Sequence, residues 1–206
     1  MALAGVCFVA MTGVIRGLLS EVNPFQAAFL RYVFGLILVI PIFIRIGIGG
    51  VKSRPIAFLA GRGAAHGIAV MLWFFAMTRI PVAEVSALGF TSTIFTIIGA
   101  VLFLNEPLRR HRIIAVFAGL LGTAVILRPG FQIIDIGAIA LLGSALLFSC
   151  SLLMAKHLTK TESNATIIAF LSLFAALALL PFALSVWRTP SGSELFWLLI
   201  TAVLAT

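Results

Sequence analysis

Few residues of this 206-residue chain could do chemistry, and they sit among apolar ones. Glu84 follows the tight turn Thr78-Arg79-Ile80-Pro81, and Glu106 precedes Pro107 in a basic stretch. An ionised Glu84 could pair with a cationic solute or take up a proton. It would serve equally as a first-turn acid, favoured by the positive end of the helix dipole. Glu106 reads as a structural partner of Arg109 or Arg110. Arg31 lies inside an apolar run, about 10 Å along its helix at about 1.5 Å per residue. A charge there costs about 3 kcal/mol on insertion scales and needs a reason. Contact with a carboxylate or other anion is one. The favoured reading is structural: an anchor to a neighbouring helix end, or a side chain snorkelling to the interface.

His66 shares a helix face with Val70, Trp73 and Met77 at steps of three and four. An imidazole beside an indole could line a solute cavity, or the histidine could simply bond between helices. Phe74 and Phe90 offer further ring faces, and Ser86, Gly89, Thr93 and Thr96 form one stripe of small or hydroxylated residues. Such a stripe lets helices approach closely, the favoured role, and also makes a wettable wall. The residues expected to hold a solute are therefore His66, Trp73, Phe74, Glu84, Ser86, Phe90 and Thr93.

Catalytic constellations are absent from the sequence. No HExxH, GxSxG or GxxxxGK[ST] occurs, and two of the three histidines, His111 and His157, fall in basic loops. Cys7 and Cys150 sit in apolar stretches without a CxxC or Cys/His cluster, as small buried hydrophobes do. Neither a cofactor nor a metal is expected, and the chain does not read as an enzyme.

The elements that must position these residues are set by composition. Hydrophobic residues make up 62% of the chain and charged ones 10%, and the mean hydropathy is +1.23. An average soluble domain carries roughly 25% charged residues. The bilayer must therefore solvate most of this chain, as a polytopic helical bundle. A span needs about 20 apolar residues. Seven candidates meet or approach that length: Met1–Leu19, Pro24–Ile44, Ile56–Met77, Ala83–Leu104, Ile113–Leu127, Ile136–Ala155 and Ala165–Trp187. The first is not a signal peptide, since no basic segment precedes it and no clear cleavage site follows. Asn23 suits a cap before Pro24. An eighth span opens near Glu194, and Leu195–Thr206 is too short to complete it, so an incomplete C-terminus is expected.

The net charge of +8 lies in short loops rather than in one stripe, which argues against nucleic acid. Arg45, Lys52, Arg54, Arg62, Arg109, Arg110, Arg112, Lys156 and Lys160 fall on one side. Arg16, Arg79, Arg128 and Arg188 fall on the other. The positive-inside rule then places the N-terminus in the cytoplasm of a multi-pass protein of the inner or plasma membrane. A weak internal repeat accompanies this alternation. Ala2-Leu3-Ala4-Gly5 parallels Ala140-Leu141-Leu142-Gly143, and Pro41 parallels Pro181, at offsets of 138 and 140 residues. An odd number of spans per repeat inverts the second copy, an arrangement found in secondary transporters.

The segments Asn23-Pro24-Phe25 … Phe29-Leu30-Arg31-Tyr32 and Trp73-Phe74-Phe75-Ala76-Met77 … Ile80-Pro81-Val82-Ala83-Glu84-Val85-Ser86-Ala87-Leu88 resemble signatures of EamA-type transporters in the drug/metabolite transporter superfamily. So do Phe103-Leu104-Asn105-Glu106-Pro107-Leu108 and Gly119-Leu120-Leu121-Gly122 … Leu127-Arg128-Pro129-Gly130. The resemblance implies an all-α membrane protein with an inverted five-plus-five helix repeat. Residues 1–130 would form the first repeat and 131–206 part of the second. Two departures stand out. Thr91-Ser92-Thr93 lies where the family often has a mid-helix proline, and Leu171 falls where the second repeat would match Arg31.

The leading reading is a secondary transporter of small organic solutes by alternating access, with spans one, three, four and six lining the cavity. Amino acids, nucleoside-like metabolites and cationic or aromatic solutes fit it, and S-adenosylmethionine and drugs are family analogies. Its partners are the bilayer and the solute; proton coupling and a homodimer are open to it. A non-transporting assembly subunit is the alternative, followed by an intramembrane enzyme.

Overall fold

Three helix starts in this chain have a clear local cause. The computed structural model describes residues 13–18, 21–46, 56–105, 107, 110–127 and 135–205. A first helical stretch, α1, covers residues 13–18. The others are α2 (Pro24–Ile46), α3 (Ile56–Arg79), α4 (Val82–Gly89), α5 (Thr91–Leu104), α6 (Arg110–Leu127), α7 (Ile136–Leu158), α8 (Asn164–Ser185) and α9 (Gly192–Ala205). The expected cap before Pro24 is present: Asn23 Oδ1 accepts from Phe25 N at 3.0 Å. Asp135 and Ser163 cap α7 and α8 likewise, accepting from Gly137 N and Thr166 N. Asn105 ends α5 in the left-handed region, φ 51°, a conformation asparagine tolerates better than most residues.

Among the described residues, five helices are long and apolar enough to cross a membrane: Pro24–Pro41, Ile56–Arg79, Val82–Leu104, Ile136–Leu158 and Asn164–Ser185. The protein is an all-α, multi-pass membrane protein. Most of the expected first span, Glu106 and the Arg128-Pro129-Gly130 stop lie outside the described residues. The fifth expected span is helical from Arg110, three residues earlier than hydropathy alone places it.

The fourth span is not one continuous rod. It divides into α4 and α5 at Phe90, without a proline. Hydroxyls take over carbonyls around the break: Thr91 Oγ1 donates to Leu88 O at 2.5 Å, Ser92 Oγ to Gly89 O at 2.7 Å and Thr96 Oγ1 to Ser92 O at 2.7 Å. Hydroxyl back-bonding of this kind competes with the helix ladder and bends helices. It supplies the interruption that a proline would otherwise make.

The bundle is organised around α3, which packs mainly on α7 and α8, while α2 packs on α8. The α3–α7 pair is antiparallel. Glycine positions and hydrogen bonds place Arg79 by Gly137, Ala69 by Ser144, His66 by Ser151 and Gly61 by Met154. Close approach needs small residues, and Gly63 and Gly67 provide it against α8. A Cβ at Gly67 would meet Ala175 Cα at 3.1 Å, and one at Gly63 would meet Phe174 Cβ at 2.5 Å. A Cβ added at Gly13 or Gly17, which share the same four-residue spacing, would meet nothing within 4 Å among the described residues.

Polar bonds pin this apolar packing. Buried Ser144 donates to Ala69 O at 2.7 Å. Buried Gln26 is held by the chain beyond α8, through Nε2 to Arg188 O at 2.5 Å and from Arg188 N to Oε1 at 3.2 Å. Arg188 pairs with buried Glu194, which also accepts from Ser191 N at 2.6 Å. Interhelical hydrogen bonds in membranes average about 0.6 kcal/mol. Ser144→Ala should therefore cost about 1 kcal/mol or less, read as a small drop in unfolding free energy in mixed micelles.

Candidate functional site

Where α2, α3 and α7 meet, polar and aromatic side chains interrupt the apolar core. His66 stands at the centre. Its Nδ1 lies 3.3 Å from Ser151 Oγ of α7. Its ring meets Phe148 edge-on at 5.0 Å and Tyr32 at 6.3 Å between centroids. Arg31 lies over the Tyr32 ring, 4.5 Å from its centroid. Arg62 precedes His66 by one helical turn and donates through Nη1 to Ile167 O of α8 at 2.9 Å. The guanidiniums of Arg31 and Arg62 are both within electrostatic reach of Tyr32 and His66.

Local sequence explains the convergence. Residues 62 and 66 are four apart and share a face of α3. Small residues at 63 and 67 draw that helix onto α8. By rise per residue, Tyr32 lies about 12 Å from the start of α2 and His66 about 15 Å from the start of α3. Since α2 and α3 are antiparallel, with Phe25 against Phe75, both lie near mid-membrane depth.

The expected solute residues divide into two groups. His66, Trp73 and Phe74 lie on α3. Trp73 is half-buried against the core, its ring 5.6 Å from that of Phe74, and Phe74 is a fully buried core side chain. Glu84, Ser86, Phe90 and Thr93 lie on the broken fourth span. Glu84 is half-buried in the first turn of α4. Ser86 and Thr93 are exposed, and Phe90 is 60% exposed beside the break. No hydrogen bond or ring contact joins them to the His66 cluster among the described residues. Arg31 lies over the Tyr32 ring beside the His66 cluster, and Glu106 is outside the described residues.

Sequence reasoning passed over Tyr32, Phe148, Ser151 and the inward role of Arg62. Arg62 counts in the sequence only as an inner-side charge just inside its helix, although its spacing from His66 is the available signal. Ser151 and Phe148 reach the site from a helix more than eighty residues away, which no local pattern reveals. The site holds one imidazole, one phenol, two guanidiniums and ring faces. It can bind anionic or aromatic groups. A serine beside a histidine is not by itself a catalytic array, which also needs an orienting group and an oxyanion hole. No group of His, Cys, Asp and Glu that could hold a metal occurs among the described residues.

A bundle of apolar spans with an interrupted fourth crossing and a polar centre near mid-depth defines a polytopic helical membrane protein. Residues 1–128 match the EamA-like transporter family, and the chain belongs to that family. It is similar to a riboflavin transporter of Brucella anthropi, 31% identical over 144 residues, covering 70% of this chain and 51% of the relative. It is also similar to an S-adenosylmethionine uptake transporter of Rickettsia prowazekii, 28% identical over 182 residues, covering 88% and 62%. The chain thus spans between half and two thirds of these relatives. A protein of known crystal structure shares the fold, with a TM-score of 0.68 at 22% identity, covering 98% of this chain and 72% of that one.

Proposed function

We propose that the protein is a secondary transporter of small organic metabolites working by alternating access. The observation that carries this is the polar and aromatic centre around His66, set near mid-membrane depth in a bundle that also holds an interrupted helix. Transporters bind solutes near the midplane and use discontinuous helices to expose backbone groups there. Membership of the EamA-like family supports the reading, as do relatives named for riboflavin and S-adenosylmethionine, both ring-bearing metabolites.

His66 and Trp73 would contact the solute. The half-buried Glu84 would sense it from the outer end of α4 or exchange a proton with it. The N-terminus lies in the cytoplasm in this reading, supported by the excess of Lys and Arg in alternate loops. Residues 1–130 form one five-helix unit and 131–206 begin an inverted second. Four features support that division. Helices α2 and α8 begin 140 residues apart, each behind a polar cap, and each contains a proline. They pack antiparallel, with Gln26 at the start of α2 bonded to Arg188 beyond the end of α8.

Full-length protein in proteoliposomes should take up at least one of a panel of labelled riboflavin, S-adenosylmethionine and amino acids with saturable kinetics. Uptake no faster than in empty liposomes across the panel would contradict the proposal. If Glu84 carries coupling, Glu84→Gln should remove the dependence of uptake on an imposed pH gradient and leave the thermal midpoint unchanged. A gradient response equal to that of the parent would relieve Glu84 of that role.

A further inference from the structure

The transport reading leaves one feature of the centre unexplained: it is cationic and unsatisfied. Tyr32 is 4% exposed and its hydroxyl has no hydrogen-bond partner among the described residues. Arg62 is 8% exposed, and its Nε is unpartnered although Nη1 is bonded. The Nε of Arg31 is buried and unpartnered too. No carboxylate among the described residues pairs with either arginine, and the ion pair of Arg188 with Glu194 lies at the far end of α8. Buried donors without acceptors are costly, and two cations sharing one low-dielectric region repel each other. The electrostatic neighbours of both Tyr32 and His66 are these same two guanidiniums.

We infer that Arg31, Arg62 and the Tyr32 hydroxyl form a binding site for a single oxyanion, a carboxylate or phosphate borne by the transported solute. The inference rests on the transport reading. Each of the orphans can donate: two guanidinium N–H groups and a phenolic O–H, whose oxygen faces the Arg31 guanidinium. A guanidinium matches carboxylate and phosphate geometry better than any other side chain. An oxyanion placed among them would satisfy the donors and neutralise the excess charge together. His66, Phe148 and Tyr32 would bound the same space with ring faces, so that the remainder of an aromatic solute would stack beside its own anionic group. Retention of the arginines in the spans then has a cause in ligand binding, beyond the single bond that Arg62 makes to Ile167 O.

Thermal unfolding of the full-length protein in neutral detergent tests this. Acetate, inorganic phosphate and short-chain phosphatidylglycerol are titrated at fixed ionic strength, since a ligand that binds the folded state raises its midpoint. Acetate or phosphate should raise the midpoint saturably in the parent. Tyr32→Phe, which keeps the ring and removes one donor to a charged group, should weaken that response about tenfold. Arg31→Gln should abolish it, and Arg79→Gln, at an exposed arginine outside the cluster, should leave it intact. Should Arg31→Gln fail to fold, Tyr32→Phe carries the test alone. No saturable shift in the parent, or an equal shift in Tyr32→Phe, would overturn the inference. A response to phosphatidylglycerol with none to acetate or phosphate would assign the donors to a lipid headgroup and overturn the solute site. Proteoliposome uptake measured in parallel separates the two levels. Anion binding without any flux would remove the transport reading and leave an anion site, whereas flux without an anion response would sink this inference alone.

Discussion

Gly63→Leu should yield almost no folded protein. A Cβ at this position would lie 2.5 Å from Phe174 Cβ and 3.2 Å from Ala175 N. The second of these is backbone, so no rotamer change relieves it. Overpacking in a tight core costs about 1–3 kcal/mol even where side chains can give, and here two helix backbones would have to separate. The damage would spread, because α3 is the helix on which both α7 and α8 pack. Gly119→Ala is the matched control, since a Cβ there has nothing within 4 Å among the described residues. Size-exclusion chromatography after stepwise heating should show the parent profile for Gly119→Ala and an aggregated one for Gly63→Leu. A monodisperse Gly63→Leu with the parent midpoint would show that the α3–α8 contact is not as close as described.

His66→Phe should separate folding from function. The substitution keeps a ring between Tyr32 and Phe148, so the aromatic contacts at 6.3 and 5.0 Å are preserved in kind. It removes the nitrogen facing Ser151. Stability should change by about 1 kcal/mol or less, the scale of one interhelical hydrogen bond. Uptake should fall at least about tenfold, equivalent to about 1.4 kcal/mol of lost interaction. Trp73→Ala should lower uptake similarly, but with a larger loss of stability, because its indole packs on the core. If His66→Phe folds and retains parent uptake, His66 is a packing residue and the solute site lies elsewhere.

The sequence made some parts of this molecule readable and hid others for physical reasons. The spans followed from runs of apolar residues, because a bilayer imposes length and hydropathy directly. Asn23 was visible as a cap because capping acts within a few residues of one helix. The break at Phe90 was harder to see. The usual signal is a proline, and here Thr91 and Ser92 do the same work by bonding back to carbonyls. Arg62 illustrates a different failure. As a charge near the inner end of a span it fitted the orientation rule, and that fit concealed its place one turn from His66. Tyr32, Phe148 and Ser151 were out of reach because their meaning arises only when α2 and α7 close on α3. Phe74 was legible as an apolar ring but not as a core residue, since both faces of α3 are apolar and only packing distinguishes them.

Transport by alternating access requires one solute site reached in turn from the two sides. Counterflow in proteoliposomes tests that directly. Vesicles holding full-length protein are preloaded with unlabelled solute, using whichever member of the uptake panel is carried, and diluted into trace label. Exchange through one alternating site predicts a transient accumulation of label above its equilibrium level, much reduced in His66→Phe. A monotonic rise to equilibrium without overshoot would contradict it.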